Sequence, residues 1–236
     1  METTPKHRPS SKDQRRGFFI TFEGIEGSGK SSQCQRLAAN LQAKGYRVLE
    51  TREPGGTPFA EHIRGLLLNT GRNSSWESLT PEGEAFLVLA CRSQHVAHVI
   101  APALKKGAVV LCDRFFDSTL AYQGYGRGLD LTALQNLNQF ATQGLTPDLT
   151  FLFDLPVDQG LARRRRALHQ NRLDHEKEKF HERVRKGFMA LTKDHPHRII
   201  IIDAGDTIGT IAEQVAKRVQ PFLSRIKKLR PSKKPG

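Results

Sequence analysis

The chain has 236 residues, 37% of them hydrophobic, and a formal net charge of +13, which suits one sizeable domain with its own core. No apolar run approaches the roughly 20 residues that a bilayer-spanning helix needs, and Met1 to Arg16 lacks the apolar centre of a signal peptide, so a soluble, cytoplasmic protein is expected. Three widely spaced cysteines, Cys34, Cys91 and Cys112, exclude a disulfide framework and read as reduced, buried or partly buried thiols.

Residues 1–16 carry five basic and two acidic side chains, and residues 222–236 carry six basic and none acidic. Nine of the thirteen net positive charges therefore lie at the two ends, leaving +4 between them. Both ends are rich in Pro, Ser, Lys and Arg. They are expected to be disordered tails, 1–16 and 223–236, solvated and without a specific nucleic-acid partner.

The domain, 17–222, begins with an apolar run, Phe18–Phe22, predicted as a strand. It leads into Gly24-Ile25-Glu26-Gly27-Ser28-Gly29-Lys30-Ser31, which fits the Gly-x4-Gly-Lys-Ser/Thr phosphate loop. Glycines there let consecutive N–H groups face a polyphosphate, Lys30 adds a positive charge, and the Ser31 hydroxyl can reach Mg2+. Ser31–Lys44 is predicted as the helix that the loop opens. This stretch predicts a nucleoside triphosphate ligand.

Further along, Tyr46–Thr51 is predicted as a strand, Thr57–Asn69 as a helix, and Pro81–Lys106 as a long helix bent near Pro102. Gly71–Thr80 reads as a loop. Ala108–Cys112 is an apolar strand ending in Asp113, followed by a helix at Leu131–Gln143 and a strand at Leu149–Asp154. Helices at Val157–Leu168 and His175–Asp194, a strand at Ile199–Asp203 and a helix at Thr207–Phe222 complete the series. Five apolar strands separated by helices predict a five-stranded parallel sheet in a three-layer α/β/α sandwich.

Ligands of such sheets gather at the carboxyl ends of the strands. That edge should collect the phosphate loop, Thr51-Arg52-Glu53-Pro54-Gly55-Gly56-Thr57 and Asp113-Arg114. A lysine, two arginines and several carboxylates there suit two facing polyphosphates with Mg2+, because phosphoryl transfer relies on positioning and charge stabilisation.

Taken in order, Phe22 to Gln33, Thr51 to Thr57 and Asp113 to Gly124 resemble the ordered motifs of bacterial thymidylate kinases, of the P-loop nucleoside monophosphate kinase type. The likeness continues through Ile63–Leu68, Ala90–His95, Asn171–Asp174 and Phe180–Arg185, over about residues 17 to 222. It implies transfer of the ATP γ-phosphate to dTMP with Mg2+, and a homodimer. It places Gly24, Ile25, Glu26, Gly27, Ser28, Gly29, Lys30, Ser31 and Ser32 on ATP, and Ser31 and Asp113 near the metal. For dTMP it implies Arg52, Arg64, Arg92, Arg114, Ser118, Thr119, Tyr122 and Gln123, with Arg64 and Arg114 on the monophosphate and Arg92 on the base. Tyr122 would crowd a 2′-hydroxyl, favouring deoxyribose. Lys30, Glu26, Asp113, Arg114 and a lid arginine form the implied catalytic set.

Read from the residues alone, duller roles stay open. Asp113 could be a strand-end carboxylate, Arg92 a surface ion-pair residue and Tyr122 plain core. His95 and His98, three apart without a third ligand, are read as structural. Arg163-Arg164-Arg165-Arg166 is by itself a solvated helix face. In the resembling family a lid lies here, about 163–176, and members whose phosphate loop lacks a basic residue supply the catalytic arginine from it. Glu26-Gly27-Ser28 has none, which points to Arg172, with Arg164 or Arg166 as alternates. Three positions depart from the family: Val88 stands where a Phe stacks on thymine, Cys91 where Asp or Asn precedes the base-reading arginine, and Asn171 where Asp often precedes the lid arginine. Phe86, two residues from Val88, is not expected to substitute, and dUMP is expected as a secondary acceptor. Alternatives are another P-loop nucleoside monophosphate or deoxynucleoside kinase, or a nucleic-acid-associated P-loop ATPase. No Asn-Lys-x-Asp guanine signature occurs.

Overall fold

A computed structural model describes residues 17–68, 77–166, 171–224, 226 and 228. The tail at 1–16, most of the tail at 223–236, part of the loop at 71–80 and the middle of the lid thus lie outside the described residues. Five strands, β1 (Phe18–Glu23), β2 (Val48–Arg52), β3 (Val109–Asp113), β4 (Leu149–Asp154) and β5 (Ile199–Asp203), form one parallel sheet in the order β2-β3-β1-β4-β5. The central strands β1, β3 and β4 are apolar and almost wholly buried, as covering on both faces requires. Edge strand β2 departs from the expected continuous apolar run: its Glu50 and Arg52 are exposed, because one side of an edge strand faces water.

Alternating residues of the strands serve two separate cores. Ile20, Phe22, Leu111, Phe151 and Phe153 pack against α1 (Lys30–Ala43) and α9 (Ile208–Leu223), which contributes Ile211, Val215, Val219 and Leu223 at a spacing of four. Burying each such side chain contributes about 1.5 to 3 kcal/mol. Leu223 and Ile226 are buried in this cluster, so the folded domain reaches past the expected limit at Phe222.

The opposite face packs Phe19, Val110 and Cys112 against Val96, Ile100 and Leu104, and Leu152 and Ile199 against Tyr122, Val184 and Phe188. Here the predicted long helix divides into α3 (Pro81–His95), a π turn (Val96–Ile100) and α4 (Ala101–Lys105). The Ala101 N–H reaches five residues back to Val96, and Pro102 has no N–H to continue the ladder. The remaining helices are α2 (Pro58–Leu68), α5 (Phe116–Thr119) running into a π turn (Leu120–Gly126), α6 (Leu131–Thr142), α7 (Val157–Arg165) and α8 (Glu178–Asp194). A short 3-10 turn, Arg172–His175, precedes α8. Among the described residues, no helix is long and apolar enough to cross a membrane. Cys34, Cys91 and Cys112 are buried free thiols.

Strand register sets up the site. Asp113 pairs with Phe22 on one side and Arg52 on the other, so the carboxyl ends of β1, β2 and β3 finish level.

Candidate active site

The phosphate loop turns at the carboxyl end of β1. Gly29 caps α1 in the left-handed region, φ 84°, and supplies no side-chain cap, which leaves the first N–H groups of α1 free for an anion. Gly27, φ 75°, is pressed on α7: a Cβ there would lie 2.2 Å from the Gly160 carbonyl oxygen. Lys30 is buried, and its Nζ donates to the Ile25 carbonyl at 3.0 Å. Burial, and then the charge of Arg114, pushes Lys30 down to about 8, so a bound polyphosphate would stabilise its charged form. The Ser28 hydroxyl is buried with no hydrogen-bond partner among the described residues. Ser32 is exposed on the first turn of α1.

Arg114 sits where β3 ends, with φ 71°, and its N–H donates to the Phe22 carbonyl at 2.9 Å. Its Nη1 donates to Gly24 O at 3.0 Å and Ser118 Oγ at 3.1 Å, and its Nη2 to Glu26 Oε1 at 2.9 Å and Tyr122 Oη at 3.1 Å. Tyr122 Oη in turn lies 2.7 and 2.6 Å from the two Glu26 oxygens. Burial would raise Glu26. Arg114, His181 and Lys30 outweigh it and hold the carboxylate well below its usual range. Tyr122 moves the other way: burial, opposed by Arg114 and assisted by Glu26, pushes the phenol well above its ordinary value and keeps it a donor.

Behind this group stands Glu23, which accepts from the Phe115 N–H at 2.7 Å and the Ser118 hydroxyl at 2.5 Å and so fixes the turn that aims Arg114. Burial, and then the neighbouring Asp117, raises Glu23 to about 8.

The Ser31 hydroxyl donates to Asp113 Oδ2, while Asp113 Oδ1 is buried and has no hydrogen-bond partner among the described residues. A hydroxyl beside a carboxylate with a spare oxygen fits Mg2+, which takes few protein ligands and completes its shell with phosphate and water. No group of three or more His, Cys, Asp or Glu among the described residues could hold a metal.

A cavity of about 300 Å3 opens between this loop and the long-helix side, lined by Glu26, Lys30, Ser31, Arg52, Arg64, Arg92, Asp113, Arg114, Ser118, Thr119, Tyr122 and Gln123. Every residue expected at the acceptor lines it. Arg64 donates to Pro54 O at 2.8 Å, and burial and then the Arg52 charge hold it below the usual guanidinium value. Arg52 is half exposed and pairs with Glu61 at 2.9 Å. Arg92 is no surface ion-pair residue: it is 1% exposed, with Nε on Glu53 at 2.8 Å and Nη1 on Thr119 and Asn138 at 2.7 and 2.6 Å. His95 is structural, bridging Thr51 and Glu53 at 2.7 and 3.0 Å, and His98 is exposed.

The departures find physical roles. Val88 lines the cavity, whereas Phe86 points away and is 60% exposed. Cys91 is packed with Ala60, Ile63 and Leu67 between α2 and α3. Asn171 caps the short turn before α8, accepting from the N–H groups of Leu173 and Asp174 at 2.9 and 3.3 Å, a task Asn and Asp perform equally well.

The lid arginines separate. Arg172, the first choice from sequence, donates to Leu67 O at 3.1 Å and to Glu84 at 2.5 Å, on the acceptor side of the cavity. Arg164 pairs with Asp174 at 2.7 Å and feels the Glu26 charge, on the phosphate-loop side. Arg166 is exposed and is not among the cavity-lining residues.

Sequence reasoning missed Glu23, Glu53, Glu84, Asn138 and His181. Glu23 and Glu53 adjoin strand ends beside motif residues, which was an available signal. Glu84 had none, because its partners Gln123 and Arg172 lie 39 and 88 residues away.

The chain is similar to known proteins over most of its length. The family model described as thymidylate kinase matches residues 22–215. The thymidylate kinase of Geobacter sulfurreducens is 50% identical over 206 residues, spanning 85% of this chain and 95% of its own. That of Herpetosiphon aurantiacus is 45% identical over 237 residues, spanning 90% and 99%. The crystal structure of thymidylate kinase from Ehrlichia chaffeensis superposes with a TM-score of 0.68 at 36% identity, covering 86% of this chain and 98% of that one.

Proposed function

The chain belongs to the thymidylate kinase family, and we propose that it transfers the γ-phosphoryl group of ATP to the 5′-phosphate of dTMP, giving dTDP and ADP. One observation carries the assignment of roles. One cavity is lined by Lys30 of the phosphate loop and by Arg52, Arg64 and Arg114, enough positive charge for the phosphates of two substrates. A phosphate oxygen of the acceptor attacks the γ-phosphorus as the bridging bond to the β-phosphate breaks and ADP departs. Lys30 and the loop amides hold the donor phosphates, while Arg64 and Arg114 neutralise the acceptor so that two anions can approach. Ser31 and Asp113 would hold Mg2+, which supplies further positive charge on the donor phosphates when bound.

Glu26 orients Arg114 and Tyr122, and the Tyr122 ring closes the side of the sugar where a ribose would carry its 2′-hydroxyl. Arg92, Thr119 and Gln123 face the base. A lid arginine, Arg172 or Arg164, completes the charge on the transferring group, and lid closure limits hydrolysis of ATP. We place the enzyme in the cytoplasm with its nucleotide substrates. A homodimer would cover Phe86, Leu137 and Phe140, which stand exposed on the helices α3 and α6.

The test measures ADP formed from ATP and Mg2+ with dTMP, dUMP, CMP, AMP or thymidine as separate acceptors. Turnover should be fastest with dTMP and vanish in Lys30→Ala. ADP formation that needs DNA or RNA and ignores monophosphates would replace this reading with that of an ATPase.

A further inference from the structure

Gln123 and Arg92 line the cavity, and the Gln123 amide is held by Glu84. Glu84 is buried on α3 and accepts from three side chains, Gln123 and Arg127 at the π turn after α5 and Arg172 at the 3-10 turn before α8. Its Oε1 receives Gln123 Nε2 at 2.7 Å and Arg127 Nε at 3.3 Å, and its Oε2 receives Arg127 Nη2 at 3.0 Å and Arg172 Nη2 at 2.5 Å. Burial would raise its pKa, but the hydrogen bonds from Arg127, Arg172 and Gln123 hold it lowered, so Glu84 is an ionised group that only accepts.

An accepting carboxylate decides which way an amide faces. Gln123 must turn its NH2 to Glu84, because the reverse arrangement sets a carbonyl against a carboxylate. Its carbonyl is then the end left to the cavity. Arg92 carries donors only. The cavity is thus lined by both an acceptor and a donor, a pair that suits the N3–H and C4 carbonyl of thymine or uracil. Cytosine shows the inverse, a C4 amino donor beside an N3 acceptor.

We propose that Glu84 is a positioning residue for base choice: by fixing the Gln123 amide it makes the acceptor pocket select a 4-oxopyrimidine with an N3–H over a 4-aminopyrimidine. The inference rests on the acceptor reading given above and deepens it. Glu84 itself does not touch the base.

The experiment measures kcat/KM for dTMP, dUMP and dCMP in the wild type, Glu84→Gln, Gln123→Met and the double variant. A Gln at 84 can donate as well as accept, which frees Gln123 to turn. The dTMP to dCMP ratio should fall at least about tenfold in Glu84→Gln, as expected when a hydrogen-bonding site loses its discrimination. The dTMP to dUMP ratio should stay within twofold. Changes in the lid through Arg172 affect every acceptor alike and cancel in the ratios. In the Gln123→Met background the Glu84 change should no longer move the dTMP to dCMP ratio.

An unchanged ratio in Glu84→Gln, or an equal drop in both backgrounds, would overturn the proposal. If Glu84→Gln does not fold, Gln123→Met alone must lose the discrimination, and its retention overturns the proposal too. A wild type inactive on dTMP would instead sink the acceptor reading.

Discussion

Tyr122 Oη lies 2.7 and 2.6 Å from the two carboxylate oxygens of Glu26, a shared donation that fixes the carboxylate at the mouth of the phosphate loop. Arg114 donates to both partners, so the three side chains are bonded directly to one another. We expect Tyr122→Phe to lower kcat/KM for dTMP about ten- to a hundredfold, the worth of a hydrogen bond to a charged group. Preference for deoxyribose should survive, since the ring stays. Parallel assays with dTMP and its ribo counterpart check both statements, and loss of sugar discrimination would show that the hydroxyl, not the ring, carries it.

Arg172 and Arg164 both line the cavity and are held by different carboxylates, Glu84 and Asp174. The expected result for Arg172→Ala is a kcat lower by about 100-fold with ATP affinity little changed, the pattern of a contact made in the transition state. Steady-state kinetics on both single variants decide the assignment. An unchanged kcat in Arg172→Ala together with a collapse in Arg164→Ala transfers the role to Arg164.

Glu23 should leave a signature in the pH dependence of stability. Its folded pKa is raised from 4.5 to about 8, so the folded state binds a proton that the unfolded state has released in that window. The associated stability is fully present below pH 4.5 and is lost as pH rises through 8, at about 1.4 kcal/mol per pH unit at most. Glu23→Gln cannot ionise, and its stability relative to the wild type should therefore improve between pH 5 and 8. Urea denaturation of both proteins across that range is the check, and parallel curves would contradict the expected titration.

Arg92 and Glu53 form a buried pair at 2.8 Å, each about 2% exposed or less. Removing Arg92 leaves Glu53 buried with the His95 ring as its remaining side-chain partner. Arg92→Ala should therefore cost about 3 to 5 kcal/mol of stability in addition to weakening dTMP binding. Chemical denaturation measures the first effect, and a loss below about 1 kcal/mol would mean that solvent or Asn138 replaces the guanidinium.

The order of strands and helices was legible because it depends on short-range patterns. Apolar runs such as Ala108–Cys112 can only be strands buried on both faces, and the glycine spacing from Gly24 to Gly29 specifies a turn that few other sequences permit. β2 was harder to delimit, since an edge strand mixes polar and apolar residues, and the π turn at Val96–Ile100 gave no sign beyond Pro102. Lys30, Arg52, Asp113 and Arg114 were legible because strand ends gather ligands, whereas Arg64, Arg92, Thr119, Tyr122 and Gln123, on α2, α3, α5 and the π turn that follows it, came only from the motifs that resemble a known family.

By itself, then, the sequence determined the parallel α/β sandwich, the phosphate loop and the list of cations that line the cavity. Only the tertiary structure decided what each of those cations is bound to. It buried Arg92 against Glu53 and joined Gln123, Arg127 and Arg172 on Glu84. The physical reason is range. Backbone patterns act over a few residues, whereas the charge, burial and amide orientation that tune this site arise between side chains 39 to 96 positions apart, which meet only after the sheet has formed.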